Sequence, residues 1–144
     1  MAKKKRGRPR VEHLIRAIEV RSVHVHMSMS VEDAKSPTPR HSGRAWIEVR
    51  GVFDEPVKAQ AEVVISVHEE LDENFGTVRP AVVGHVVQMR PECRVVVGIP
   101  TKDFDRAWAL AAGGRLTHAW LSMTVPHYNS AAVPSVSFAN EPIE

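Results

Sequence analysis

The chain has 144 residues, 43% of them hydrophobic and 25% charged, which excludes a wholly disordered protein and allows one domain to bury a core without a staple. Its formal net charge of +2 is unevenly spread: six of the 19 basic residues lie in the first ten positions, so 13 Lys/Arg face 17 Asp/Glu in the remainder, a charge of −4. The single cysteine, Cys93, excludes an intrachain disulfide and fits a reducing compartment, so the expected location is the cytoplasm, or the nucleus in a eukaryotic source.

The first ten residues, Met-Ala-Lys-Lys-Lys-Arg-Gly-Arg-Pro-Arg, carry no acidic side chain and no apolar periodicity, and read as a disordered basic arm on a domain spanning 11–144. Arg6-Gly7-Arg8-Pro9 resembles the core of the AT-hook of high-mobility-group A chromatin proteins. The resemblance implies that Arg6 and Arg8 enter the narrow minor groove of A·T-rich DNA while Gly7 lets the backbone approach its floor. A narrow groove has enhanced negative potential, and Pro9 biases Arg8 toward an extended conformation. Lys3, Lys4, Lys5 and Arg10 would then sit on phosphates. The match departs at one position, because Lys5 stands where AT-hooks commonly carry proline. A basic arm also serves as a solubility tail, an import address, or a contact for another polyanion such as acidic lipid or protein. If all six charges neutralised phosphates, the slope of log K against log salt would be about −5. One such arm binds weakly at physiological salt, and several arms on one oligomer bind usefully.

From Val11 to Val20 the apolar residues are interrupted by Glu12, His13, Arg16 and Glu19, so no signal-peptide core is expected there. Val11, Leu14, Ile15 and Ile18 have helical spacing, but the same residues also fit a strand. Val23, Val25, Met27, Met29 and Val31 then alternate with His24, His26, Ser28 and Ser30, the cleanest strand pattern in the chain. Residues 32–43 hold two prolines and no periodicity, and read as a mobile loop. Further strands are expected at Ala45–Phe53, Val57–Glu70, Ala81–Arg90, Arg94–Ile99, Leu116–Val125 and Val133–Ala139, with a hairpin connection at 71–76. One helix is predicted at about 101–112, where Phe104, Ala107, Trp108 and Ala111 make an apolar stripe, Thr101 is placed to cap, and Gly113-Gly114 stops it. The expected fold is therefore mainly β: an antiparallel β-sandwich of about seven strands with one short helix, or an open sheet covered by that helix. The longest stretch without Asp, Glu, Lys or Arg, Leu116 to Asn140, contains prolines and many polar residues, so no membrane span is expected.

Ala81–Val87 and Arg94–Ile99 are apolar on both parities, so each needs a second cover, either the helix or another subunit, and a homo-oligomer is the sharper expectation. His24 and His26 share a strand face and are candidate metal ligands, joined by His68 if its strand is adjacent. No Cys pair, His-Glu-x-x-His or matched carboxylate completes a coordination sphere, and no cofactor is expected. Cys93 has no nucleophile motif around it, and Gly-x-Ser-x-Gly, P-loop and Gly-x-Gly-x-x-Gly patterns are absent, so no catalytic residues are assigned. Trp46 and Trp120 fall on the more polar parity of their strands, either as outward binding platforms or under a covering element. The sequence thus reads as a non-enzymatic, oligomeric β protein with an AT-hook-like arm for DNA or another polyanion. The alternative is an interaction or scaffold module whose β faces bind a partner or itself.

Overall fold

In the computed structural model, the described residues are 12–70 and 82–142. The basic decapeptide with its AT-hook-like core and the connection expected at 71–76 lie outside them. Eight strands and one helix follow in the order β1 (His13–Glu32), β2 (Arg40–Val57), β3 (Gln60–Glu70), β4 (Gly84–Gln88), β5 (Cys93–Pro100), α1 (Thr101–Ala112), β6 (His118–Thr124), β7 (Ala131–Val133) and β8 (Ser135–Ala139). They form one sheet in the order β7-β4-β5-β3-β2-β1-β6-β8. Every ladder is antiparallel except β3–β5, which is parallel.

The expected antiparallel sandwich is thus corrected to a single mixed sheet of eight strands. Two-residue alternation shows that one face of each strand is apolar, and it carries no information on whether the facing layer is a second sheet or the same sheet curled. Here the sheet curls. Its two end strands, β7 and β8, are separated in the chain by Pro134 alone, so opposite ends of the sheet must approach each other. The sheet is not closed: β7 and β8 share no ladder, and the Ala132 N–H donates to Thr124 Oγ1 of β6 at 2.9 Å across the gap. Pro134, without an N–H, breaks the single strand expected at 133–139 into two that serve different neighbours.

The inner face holds the core. Ile47, Val49 and Phe53 of β2, Val63, Ile65 and Val67 of β3, Cys93, Val95 and Val97 of β5, and Ala119, Leu121 and Met123 of β6 are all buried there. Helix α1 covers this face with Phe104 and Ala107. It starts directly off β5, with Pro100 at φ −59° as its N-terminal flank and no side-chain cap, so Thr101 is the first helical residue rather than the cap. It ends at Gly113 and Gly114, the latter at φ +69°, where Arg115 N–H returns to Leu110 O at 2.9 Å.

Residues 13–19 are strand: Leu14 and Ile18 face the core, and Ile15, which gives the spacing its helical look, is 52% exposed on the opposite parity. The β1–β2 register slips between Val20 and Ser22, so inward residues are even-numbered before it (Ile18) and odd-numbered after it (Val23). The strands approach closely beside it: a Cβ on Gly51 would lie 2.6 Å from Glu19 O and from Ile18 Cγ2.

Candidate interaction surfaces

Two surfaces stand out, both built on β1 and β2. The first is a projecting hairpin. β6 pairs with β1 only from His13 to Glu19, and β3 joins β2 from Trp46 onward, so Met27–Glu32 and Arg40–Ala45 continue as a two-stranded ribbon beyond the sheet. Residues 33–39 close it as a short turn, with Ser36 N–H on Asp33 O at 2.8 Å and Asp33 at φ 55°. The loop expected at 32–43 therefore shrinks to this turn, and Arg40–Gly43 belong to β2.

On the ribbon the inner-face stripe of the core runs on without a cover. Val25, Met27, Met29 and Val31 are 40%, 71%, 66% and 48% exposed, whereas Ile47 and Val49 on the same face of β2 are buried. No Asp, Glu, Lys or Arg occurs between Ser22 and Val31. Where the ribbon leaves the body, an open groove of about 680 Å³ is lined by Met27, Met29, Gly43, Ala45 and Glu69 together with Arg44, Trp46 and His68 of the opposite parity, so it reaches both faces of the ribbon. Met29 lies across Gly43, its Sδ 2.7 Å from where a Cβ would stand.

The second surface is the outer face of the sheet, opposite α1. The register aligns His26, Trp46, His68 and Gly98 across β1, β2, β3 and β5. Strand spacing of about 4.8 Å suits face-to-face rings. The His26 and Trp46 centroids are 4.9 Å apart at 10°, and those of Trp46 and His68 are 6.5 Å apart at 23°. Trp46 is half-buried in this row. His68 Nε2 is 2.8 Å from Ser66 Oγ. Burial, and then the nearby positive charge of Arg44, hold the His68 imidazole below its ordinary pKa.

The metal-ligand candidates His24 and His26 are exposed on this face, and His68 does not join them because β2 intervenes with Trp46 between the rings. Among the described residues no group of three His, Cys, Asp or Glu side chains could hold a metal ion. Cys93 is fully buried, and burial pushes its thiol up to about 12, the environment of an inert thiol.

The strands that are apolar on both parities have one covered face and one open face. Val95 and Val97 are in the core, while Val96 and Val87 are exposed outside. Val64, the exception to its strand's alternation, is buried on the outer side between Arg50 and Arg94 in the register. Arg94 pairs with Glu92 at 2.8 Å, and Arg50 reaches Glu48 at 3.2 Å and Glu92 at 3.7 Å, so the two aliphatic stems are drawn together over the valine. The projecting ribbon is the feature that sequence reasoning missed. Its signal was a strand whose apolar residues include two methionines, without a charge on its other face to mark it as a solvated edge.

No helix among the described residues is long and apolar enough to cross a membrane. No protein-family model, curated protein or solved structure matches the chain.

Proposed function

We propose that the chain is a non-enzymatic β protein that assembles with copies of itself through the β1–β2 ribbon and thereby gathers several basic N-terminal arms for contact with nucleic acid. The observation that carries this reading is the uncovered apolar stripe Val25, Met27, Met29 and Val31, continuous with the core. An isolated two-stranded ribbon is marginal in water, and a contiguous exposed apolar strip on a soluble domain marks a protein contact. The non-enzymatic reading is supported by the buried Cys93 and by the placement of the Ser66–His68 pair on an open face, where water is not excluded. For the arm, support comes from charge: it is basic, whereas the remainder of the chain is acidic.

Light scattering on the intact chain tests the assembly. An oligomer is expected, falling to one-chain mass in Met27→Lys/Met29→Lys; a wild type of one-chain mass at about 100 μM contradicts the reading. Binding to A·T-rich and G·C-rich duplexes at two salt concentrations tests the arm. Arg6→Ala/Arg8→Ala should lose affinity and A·T preference, and unchanged binding removes the minor-groove role. A second reading draws on the outer-face row: His26, Trp46 and His68 beside Arg44 offer rings and charge to a partner protein, with the basic arm incidental. Loss of partner binding in Trp46→Ala with nucleic-acid binding intact would favour it.

A further inference from the structure

We propose that β1 pairs edge to edge and antiparallel with β1 of a second copy, about a two-fold axis at Ser28. This rests on the self-assembly reading above and specifies the strand, the direction and the register.

Beyond Glu19, β1 has β2 on one side and no strand of the described residues on the other. Open strand edges recruit further strands, and soluble proteins guard them with charge, proline, bulges or short length. The ends of this sheet are guarded in that way. β7 has three residues and is followed by Pro134, and β8 has five and is followed within three residues by Pro142. The β1 edge from Ser22 to Val31 has none of these protections: it is long, uncharged and free of proline, and its single bulge lies before Ser22.

The sequence of the edge identifies the occupant. A partner strand must keep parity, apolar beside apolar, or one face acquires polar side chains against the exposed stripe. Antiparallel pairing of the edge with its own copy about Ser28 does so for the whole exposed set. Met27 lies opposite Met29 of the second copy, and Val25 opposite its Val31. On the other face His26 lies opposite Ser30 and Ser28 opposite Ser28. The stripe from 25 to 31 is centred on 28, so this register leaves none of the four apolar residues unmatched. Such cross-strand pairs are the unit of sheet stabilisation. Two bodies joined this way form an isologous dimer whose edges both disappear.

The register predicts a specific covalent trap. Directly opposite residues in an antiparallel pair have Cα atoms about 4.5–5.5 Å apart, within disulfide reach, whereas diagonal neighbours are about 7–8 Å apart and cannot be bridged. Cys93 is buried and is the only native cysteine, so it gives no background. Under mild oxidation the intact Ser28→Cys chain should convert to a covalent dimer on non-reducing gels, while Met27→Cys and Ser22→Cys remain single chains. An oligomeric wild type whose Ser28→Cys variant does not cross-link, or whose Met27→Cys variant cross-links instead, overturns the edge register and leaves self-assembly standing. A wild type of one-chain mass in light scattering overturns both.

Discussion

The two ends of β1 share one alternating pattern and have opposite surroundings. In the body, Leu14 and Ile18 face a filled interior, with β6 beside both and β2 joining the other side from Ile18. In the ribbon, Met27 and Met29 face an open groove, and among the described residues β2 is the one strand beside them. Alternation thus states which face of a strand avoids water, and not whether the chain itself supplies what covers that face. The body end draws its stability from contacts already made, and the ribbon end offers contacts to another molecule.

The largest consequence of this difference is energetic. Leu121→Ala, which removes a fully buried side chain opposite β1 in the body, should cost about 2–5 kcal/mol by urea unfolding. A value below about 1 kcal/mol would mean that the interior is not packed as described. At the hinge between the two regions, Gly51→Ala forces a Cβ against the Glu19 carbonyl and the Ile18 side chain, and should cost about 1–3 kcal/mol. An unchanged unfolding midpoint would show that the bulge relaxes freely.

In the ribbon the same measurement should barely move. Met27→Lys/Met29→Lys, at dilutions where the chain is alone, should unfold within about 0.5 kcal/mol of wild type, because neither methionine is buried. A loss comparable to that of Leu121→Ala would show that the ribbon is structural rather than an offered surface.

The smallest effect concerns pH. Because the folded chain holds His68 below its ordinary value of 6.5, the unfolded chain binds that proton more readily. The stability associated with His68 is therefore fully present above 6.5 and is lost as pH falls through 6.5 toward the folded value. Arg44→Gln removes the smaller of the two causes and should raise the imidazole pKa in an NMR titration; a fall or no change would remove Arg44 from the account.

Much of the fold was legible because local pattern fixes local structure. The strands at 45–53 and 94–99 and the helix at 101–112 follow from their apolar periods, and the Gly113-Gly114 stop from backbone freedom, whereas the strand expected at 57–70 starts at Gln60, after a turn at Lys58 and Ala59 that leaves Val57 in β2. What escaped was non-local. Nothing in β3 or β5 says that they lie parallel, since β4 and a chain crossing separate them in sequence. An exposed apolar residue, Ile15, beside the inward Leu14 and Ile18 gave the start of β1 an apparent helical spacing. Pro134 hid the division of β7 from β8, and the burial of Val64 depends on arginines from two other strands.

The interaction surfaces were legible in part. Outward placement of Trp46 followed from its parity, but its stacking between His26 and His68 required the β1-β2-β3 order. For the ribbon, Val25 and Met27 looked like core residues because alternation in a buried strand and in an uncovered one is the same.

Hydrogen exchange along β1, read by peptide at high and low chain concentration, tests the central claim most directly. The account predicts that backbone amides between Ser22 and Val31 become protected as concentration rises, while those of His13–Glu19, already paired with β6, do not change. Exchange between Ser22 and Val31 that is fast and independent of concentration would contradict it.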